Sequence, residues 1–173
     1  MVETIRHRAG QFFRALTARV PEEEVEQAMH AVTPQARALF RRQAVQDQRH
    51  ALAVYRALRE SGHTNPHLLA AALLHDAGKA AARLSVWHRT IIVLLGHFAP
   101  RLLERLGQGE PRGWREPFVA RTRHPEVGAR WAQEANCSPL AVALIRRHQE
   151  RLASPQTEED HLLAVLQAAD GLN

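Results

Sequence analysis

Cysteine is almost absent: Cys137 is the only one in 173 residues. No internal disulfide, CxxC pair or Cys/His zinc ribbon can form, and a reducing, cytoplasmic compartment is the expectation. Aromatic residues make up only 5% of the chain. Long apolar runs are missing too. The most apolar stretch, residues 86–99 (VWHRTIIVLLGHFA), is interrupted by His88, Arg89 and His97. Its continuous run, Ile91 to Leu95, falls far short of the ~20 residues that span a bilayer. We read it as a buried core helix or a lid over a site, with an amphipathic helix in a membrane interface as the alternative. The N-terminus, MVETIRHRAGQFF, lacks the uninterrupted apolar core of a secretory signal. No segment sustains the period-two alternation of a half-buried strand, and no internal repeat is visible. With nine Gly and nine Pro, a collagen-like or low-complexity chain is excluded.

The remaining composition, 45% apolar and 24% charged, is that of one soluble globular domain. Lys and Arg total 23 against 18 Asp and Glu, a net charge of +5. All but one of the basic residues are arginine, and the exception is Lys79. Such a balance permits nucleic-acid or anionic-substrate binding without deciding for it.

Helix-start signals recur. Thr33-Pro34, Asn65-Pro66 and Ser138-Pro139 each place a capping side chain before a proline suited to the first turn, and His124-Pro125 puts proline at another such position. Apolar spacing predicts a long helix over 35–60, another over 66–77 ending at Gly78, and three more near Val127, Leu144 and Val165. Residues 107–116 (GQGEPRGWRE) read as a surface loop. The fold class is all-α, with an N-terminal helical extension over 1–32, a main domain over 33–173 and an insert over 80–123 that could close as a lid.

The informative segment is LLHDAGK, residues 73–79. An adjacent His75-Asp76 pair near a helix end brings an imidazole and a carboxylate within reach of one divalent cation, and a carboxylate can also bridge two. Other residues of the same chemistry follow in order: His50 on the preceding helix, then His124 in HPEVGA, His148 in RRHQE and Asp170 in LQAADGL.

This order, H…HD…H…H…D, resembles the HD-domain superfamily of metal-dependent phosphohydrolases over residues 46–173. The flanks LLHDAGK, HPEVGA and VLQAADGL are similar to those of its HDIG branch, which includes the catalytic domain of ribonuclease Y. The resemblance implies an HD-type helical bundle. It makes His50, His75, Asp76 and Asp170 ligands of a core metal, with Asp76 as the bridge, and His124 with His148 the ligands of a second. Imidazole and carboxylate donors suit Mn²⁺, Fe²⁺, Co²⁺, Ni²⁺ or Zn²⁺. Gln149 stands where some branches carry a second His. Gln46 stands where branches with a third metal place a carboxylate, so a third metal is not expected. The Gly-Tyr-Pro segment of cyclic-di-GMP phosphodiesterases is missing.

The implied activity is hydrolysis of a phosphomonoester or phosphodiester, with a small nucleotide as the leading substrate and attack by a metal-bound hydroxide. Asp76 and Lys79 are the catalytic candidates, and Lys79, Arg146 and Arg147 the candidates for phosphate contact. Arg121 and Arg123 are weaker ones. Two alternatives stay open: a phosphodiesterase or ribonuclease acting on RNA, and a non-catalytic metal- or nucleotide-binding regulatory module.

Overall fold

A computed structural model describes residues 20–82, 86–110 and 112–172. Among the described residues the chain forms nine α-helices and two short 3₁₀ segments, with no strand, as the all-α reading expects. In chain order they are α1 (Glu22–Met29), α2 (Pro34–Arg42), α3 (Val45–Glu60), α4 (Pro66–Leu74), a 3₁₀ segment (Ala77–Ala81), α5 (Val86–Phe98), α6 (Pro100–Gly107), a second 3₁₀ segment (Gly113–Arg115), α7 (Glu116–Glu134), α8 (Pro139–Arg147) and α9 (Glu158–Gly171).

The three Ser/Thr/Asn-Pro signals behave as their chemistry dictates. Thr33, Asn65 and Ser138 each accept hydrogen bonds from backbone N–H groups of the first turn that no carbonyl can reach. α9 is closed by a reciprocal pair, in which Thr157 accepts from Asp160 N–H and the Asp160 carboxylate accepts from Thr157 N–H.

α4 is the axis of the molecule. Every residue from Leu68 to Leu74 is buried, so the helix is apolar all round and must be surrounded. α2, α3, α8 and α9 contact it. Of the expected extension over 1–32, residues 1–19 lie outside the described residues. α1 packs on the main body, with Val25, Ala28 and Met29 inside its core.

Three local expectations are corrected. The helix expected over 35–60 is two helices. Gln43 turns to an extended conformation, its buried amide donates to the Leu73 carbonyl at 3.0 Å, and Gln48 donates back to the Gln43 carbonyl at 2.9 Å. Side chains thus satisfy the groups a helix would have paired. The helix expected to reach residue 77 stops at Leu74, and the chain passes through His75 and Asp76 into a tighter 3₁₀ turn. His124-Pro125 does not begin a helix; it lies inside α7, which runs unbroken from Glu116 to Glu134.

Residues 86–99 do not join the main core. α5 and α6 form a hairpin that packs on α7 around a small separate core of Ile92, Leu103 and Phe118, and Trp87, Val93 and Phe98 face solvent. No helix among the described residues is long and apolar enough to cross a membrane.

The 3₁₀ segment lies against α7 at backbone distance. A Cβ on Gly78 would sit 2.0 Å from the His124 carbonyl oxygen and 2.7 Å from Gly128 N. Gly78→Ala must therefore push the segment off α7, costing at least the ~1–3 kcal/mol of an overpacked core. Gly171→Ala, where the added Cβ meets nothing within 4 Å, should be neutral or mildly stabilising. Thermal unfolding of the two variants checks this; equal melting temperatures would refute the close approach.

Candidate metal centre

Six polar side chains converge where α4 ends. His75 is the C-cap of α4 and His148 the C-cap of α8, so each stands over helix carbonyls left without an amide partner. His75 Nδ1 contacts the Ala72 carbonyl at 2.9 Å, and His148 Nδ1 contacts the Ile145 carbonyl at 2.8 Å. His124 is in mid-helix, where carbonyls are normally taken. Its successor Pro125 has no N–H to give to the Arg121 carbonyl, and His124 Nδ1 occupies that carbonyl instead. One arrangement therefore occurs three times: each imidazole donates Nδ1–H to the carbonyl three residues back and turns Nε2 inward, where it is an acceptor whenever the ring is neutral.

The inward atoms crowd around Asp76. His124 Nε2 is 3.2 Å and His148 Nε2 3.8 Å from Asp76 Oδ1, while His75 Nε2 and Lys79 Nζ approach Oδ2 at 3.5 and 2.5 Å. Asp170 Oδ1 lies 2.7 Å from His50 Nε2 and 3.4 Å from His75 Nε2. His75, Asp76, His124 and His148 are buried, whereas His50 and Asp170 are partly exposed, so the centre opens to solvent on their side. Two sets of ligand atoms lie close enough to hold one ion each, His50-His75-Asp76 and Asp76-His124-His148, and they share Asp76.

The donor set fits a cation. His124 Nε2 and His148 Nε2 face each other at 3.2 Å, both as lone pairs once Nδ1 carries the proton. Buried His75 Nε2 has no hydrogen-bond partner. Lone pairs this close repel unless a proton or a metal ion stands between them, and nitrogen and oxygen donors of this kind are transition-metal ligands.

The charges agree. Burial alone would raise the Asp76 pKa, but the contact with His124 and the positive charges about it, Lys79 foremost in contact, outweigh burial and hold the carboxyl well below its usual value. Asp170 is likewise depressed: burial opposes, and the hydrogen bond with His50 together with the nearness of His75 prevails. His148, buried and beside His75, falls to about 4 and is neutral at pH 7. His75 is shifted the other way. Burial disfavours its proton, and Asp170 and Asp76 more than compensate.

Every metal-ligand candidate from the sequence is thus in this cluster, with Lys79 beside it. Lys79 arrives by 3₁₀ spacing, three residues from Asp76, rather than by α-helical spacing from His75. Arg146 and Arg147 are not brought in as free cations. Arg146 pairs with Glu126, and Arg147 is clasped by Glu150, Glu159 and Asp160, which tie the end of α8 to the start of α9. The sequence reading missed Gln167, whose amide donates to the carbonyls of His148 and Glu150 and so fixes the backbone that carries a ligand. Nothing in its local pattern marks it. Gln149 lies at the rim, 3.5 Å from His124 Nε2.

No family model matches the sequence, and neither the curated proteins nor the solved structures give a match.

The geometry predicts two outcomes. In metal-free protein, long-range ¹H–¹⁵N correlation should find His124 and His148 as the Nδ1–H tautomer; Nε2–H signals would refute the orientation. A divalent transition metal at about 100 times its Kd should stabilise the fold by ~2.7 kcal/mol, and Asp76→Asn should remove most of that gain.

Proposed function

We propose that this chain is a metal-dependent phosphohydrolase of the HD type, acting on a small phosphorylated substrate, a nucleotide in the first instance. The observation that carries the proposal is the set of three inward-facing imidazole nitrogens around one buried carboxylate, in the H…HD…H…H…D order. His50, His75, Asp76 and Asp170 would hold one metal, and His124 and His148 with Asp76 a second. Bound there, divalent transition metals of the Mn, Fe, Co, Ni or Zn kind supply an acidified water and neutralise charge on phosphate oxygens.

The protein's own groups have separable duties. Asp76 presents one oxygen to each half of the cluster, Oδ2 toward His75 and Oδ1 toward His124 and His148, which suits a bridging ligand. Lys79 holds Asp76 Oδ2 and brings a compact positive charge to the place where a phosphoryl group would gain negative charge. A cavity of about 280 Å³ is lined by Leu103, Glu104, Arg121, Thr122 and Gln149 among others, and Gln149 links it to His124. It can receive the organic part of a nucleotide-sized ester, and Arg121 has no carboxylate partner among the described residues.

Competing nucleophiles are weak. Burial pushes the Cys137 thiol up, away from the reactive thiolate. Ser138 Oγ lies 2.8 Å from His67 Nδ1, but the same oxygen caps α8. A water held by the centre is the better nucleophile.

Elemental analysis of untagged protein should find about two transition-metal ions per chain, as a paired-metal hydrolase requires. His124→Ala and His148→Ala should remove one of them. In a nucleotide screen, Asp76→Asn should abolish hydrolysis, and Lys79→Ala should lower kcat by roughly 10²–10³, the size of effect seen when one charge-stabilising donor is lost. Metal binding without turnover of any phosphoester would favour the regulatory module. Turnover of RNA alone would favour the nuclease.

A further inference from the structure

We propose that the α5–α6 hairpin docks on an anionic membrane surface. Trp87, Ile91, Leu94 and Phe98 are spaced i, i+4, i+7 and i+11, which places them on one face of α5. That face points to solvent: Trp87 is 77% and Phe98 76% exposed. The hairpin's own core does not use it, because Ile92 and Leu95 pack the other way, with Leu103 and Phe118. Leu102 and Trp114 add to the exposed apolar area on the neighbouring elements. Of the three tryptophans in the chain, Trp87 and Trp114 are thus both solvent-facing on this small substructure. An exposed apolar stripe of this kind, with no cover among the described residues, marks an interaction site.

Charge identifies the occupant. The α5–α6 hairpin carries one carboxylate, the exposed Glu104, against Arg89, Arg101 and Arg105, and from Ala77 to Leu103 the chain holds no Asp or Glu. Arg101 and Arg105, one turn apart on α6, are exposed and have no carboxylate partner among the described residues. Together with Phe98, Ala99, Pro100 and Leu102 these two arginines line a hollow of about 550 Å³. Apolar walls with two free guanidiniums suit the upper acyl chain and phosphate of an anionic lipid. Tryptophan and phenylalanine beside arginine is the composition of helices that lie in the headgroup region. A second copy of this chain would bring a surface of the same positive sign against Arg101 and Arg105. The inference stands on the hairpin alone and does not depend on the activity of the metal centre.

The test is co-sedimentation of the full chain with large unilamellar vesicles of phosphatidylcholine, with and without an equal part of phosphatidylglycerol. The expected result is binding to the anionic vesicles at least about tenfold stronger than to neutral ones, weakened by salt and accompanied by a blue shift of tryptophan emission. Arg101→Glu and Arg105→Glu should each weaken binding about fivefold or more, and Trp87→Glu or Phe98→Glu about tenfold or more. Arg130→Glu, the same charge change on exposed α7 surface, should leave it unchanged. All of these positions are exposed, and circular dichroism with metal-induced stabilisation reports that each variant is folded. Equal association with both vesicle types, or equal losses for Arg130→Glu and Arg105→Glu, would overturn the proposal. So would a dimer, seen by light scattering, that Trp87→Glu converts to monomer and that does not bind vesicles; the face would then belong to a second copy.

Discussion

The Asp76 carboxylate is the constraint on which the rest of the structure depends. An ionised carboxylate inside a helical bundle is costly unless other groups replace its lost hydration. Here Lys79, His75, His124 and His148 surround it, and each must come from a different turn or helix. The features that look irregular serve this requirement. α4 ends early so that His75 and Asp76 can leave its axis, and the 3₁₀ turn swings Lys79 back onto the carboxylate. Gly78 lets that turn lie on the backbone of α7 beside His124.

The same residues show why the cluster suits metal better than an ion-pair network. With neutral imidazoles, two carboxylates face one lysine, which leaves the centre with a net negative charge. Its imidazole nitrogens point at one another and at carboxylate oxygens, so the surplus is of lone pairs. A purely structural network would have donors matched to acceptors, as in the Arg147 clasp, where one guanidinium meets three carboxylates. The contrast within one protein separates a cluster whose charges are matched from one whose donor atoms could hold a cation.

Much of this was legible in the sequence. The capping side chains before Pro34, Pro66 and Pro139 act through local chemistry, and the six His and Asp residues of the cluster sit in short motifs whose residue types are explicit. What was not legible depends on contacts far apart in the chain. The break at Gln43 is stabilised by the carbonyl of Leu73, thirty residues away, which helix periodicity cannot report. Pro125 reads as a helix start because proline usually is one; inside α7 its missing N–H is taken up by a histidine side chain, which only the geometry reveals. Arg146 and Arg147 sit beside a ligand histidine and invite a role in phosphate contact. Their carboxylate partners on α7, on α9 and in the loop before it give both side chains another occupation. Apolar residues in 86–99 suggested burial because hydropathy does not distinguish a core-facing stripe from one that awaits a partner.

α7 joins the two parts of the molecule that these observations single out. It carries Phe118, part of the hairpin's small core, and His124, part of the metal centre, six residues apart and so about 9 Å along one rigid helix. The hairpin is therefore not a flap tethered by loops alone. Its packing against Phe118 sets its position relative to the ligands, and the cavity beside His124 is walled by both α6 and α7. A hairpin with its own core can keep an apolar stripe turned outward without drawing on the core around α4. The bundle meets its two demands, a buried charged centre and an exposed apolar face, by keeping them in separate cores linked through one helix.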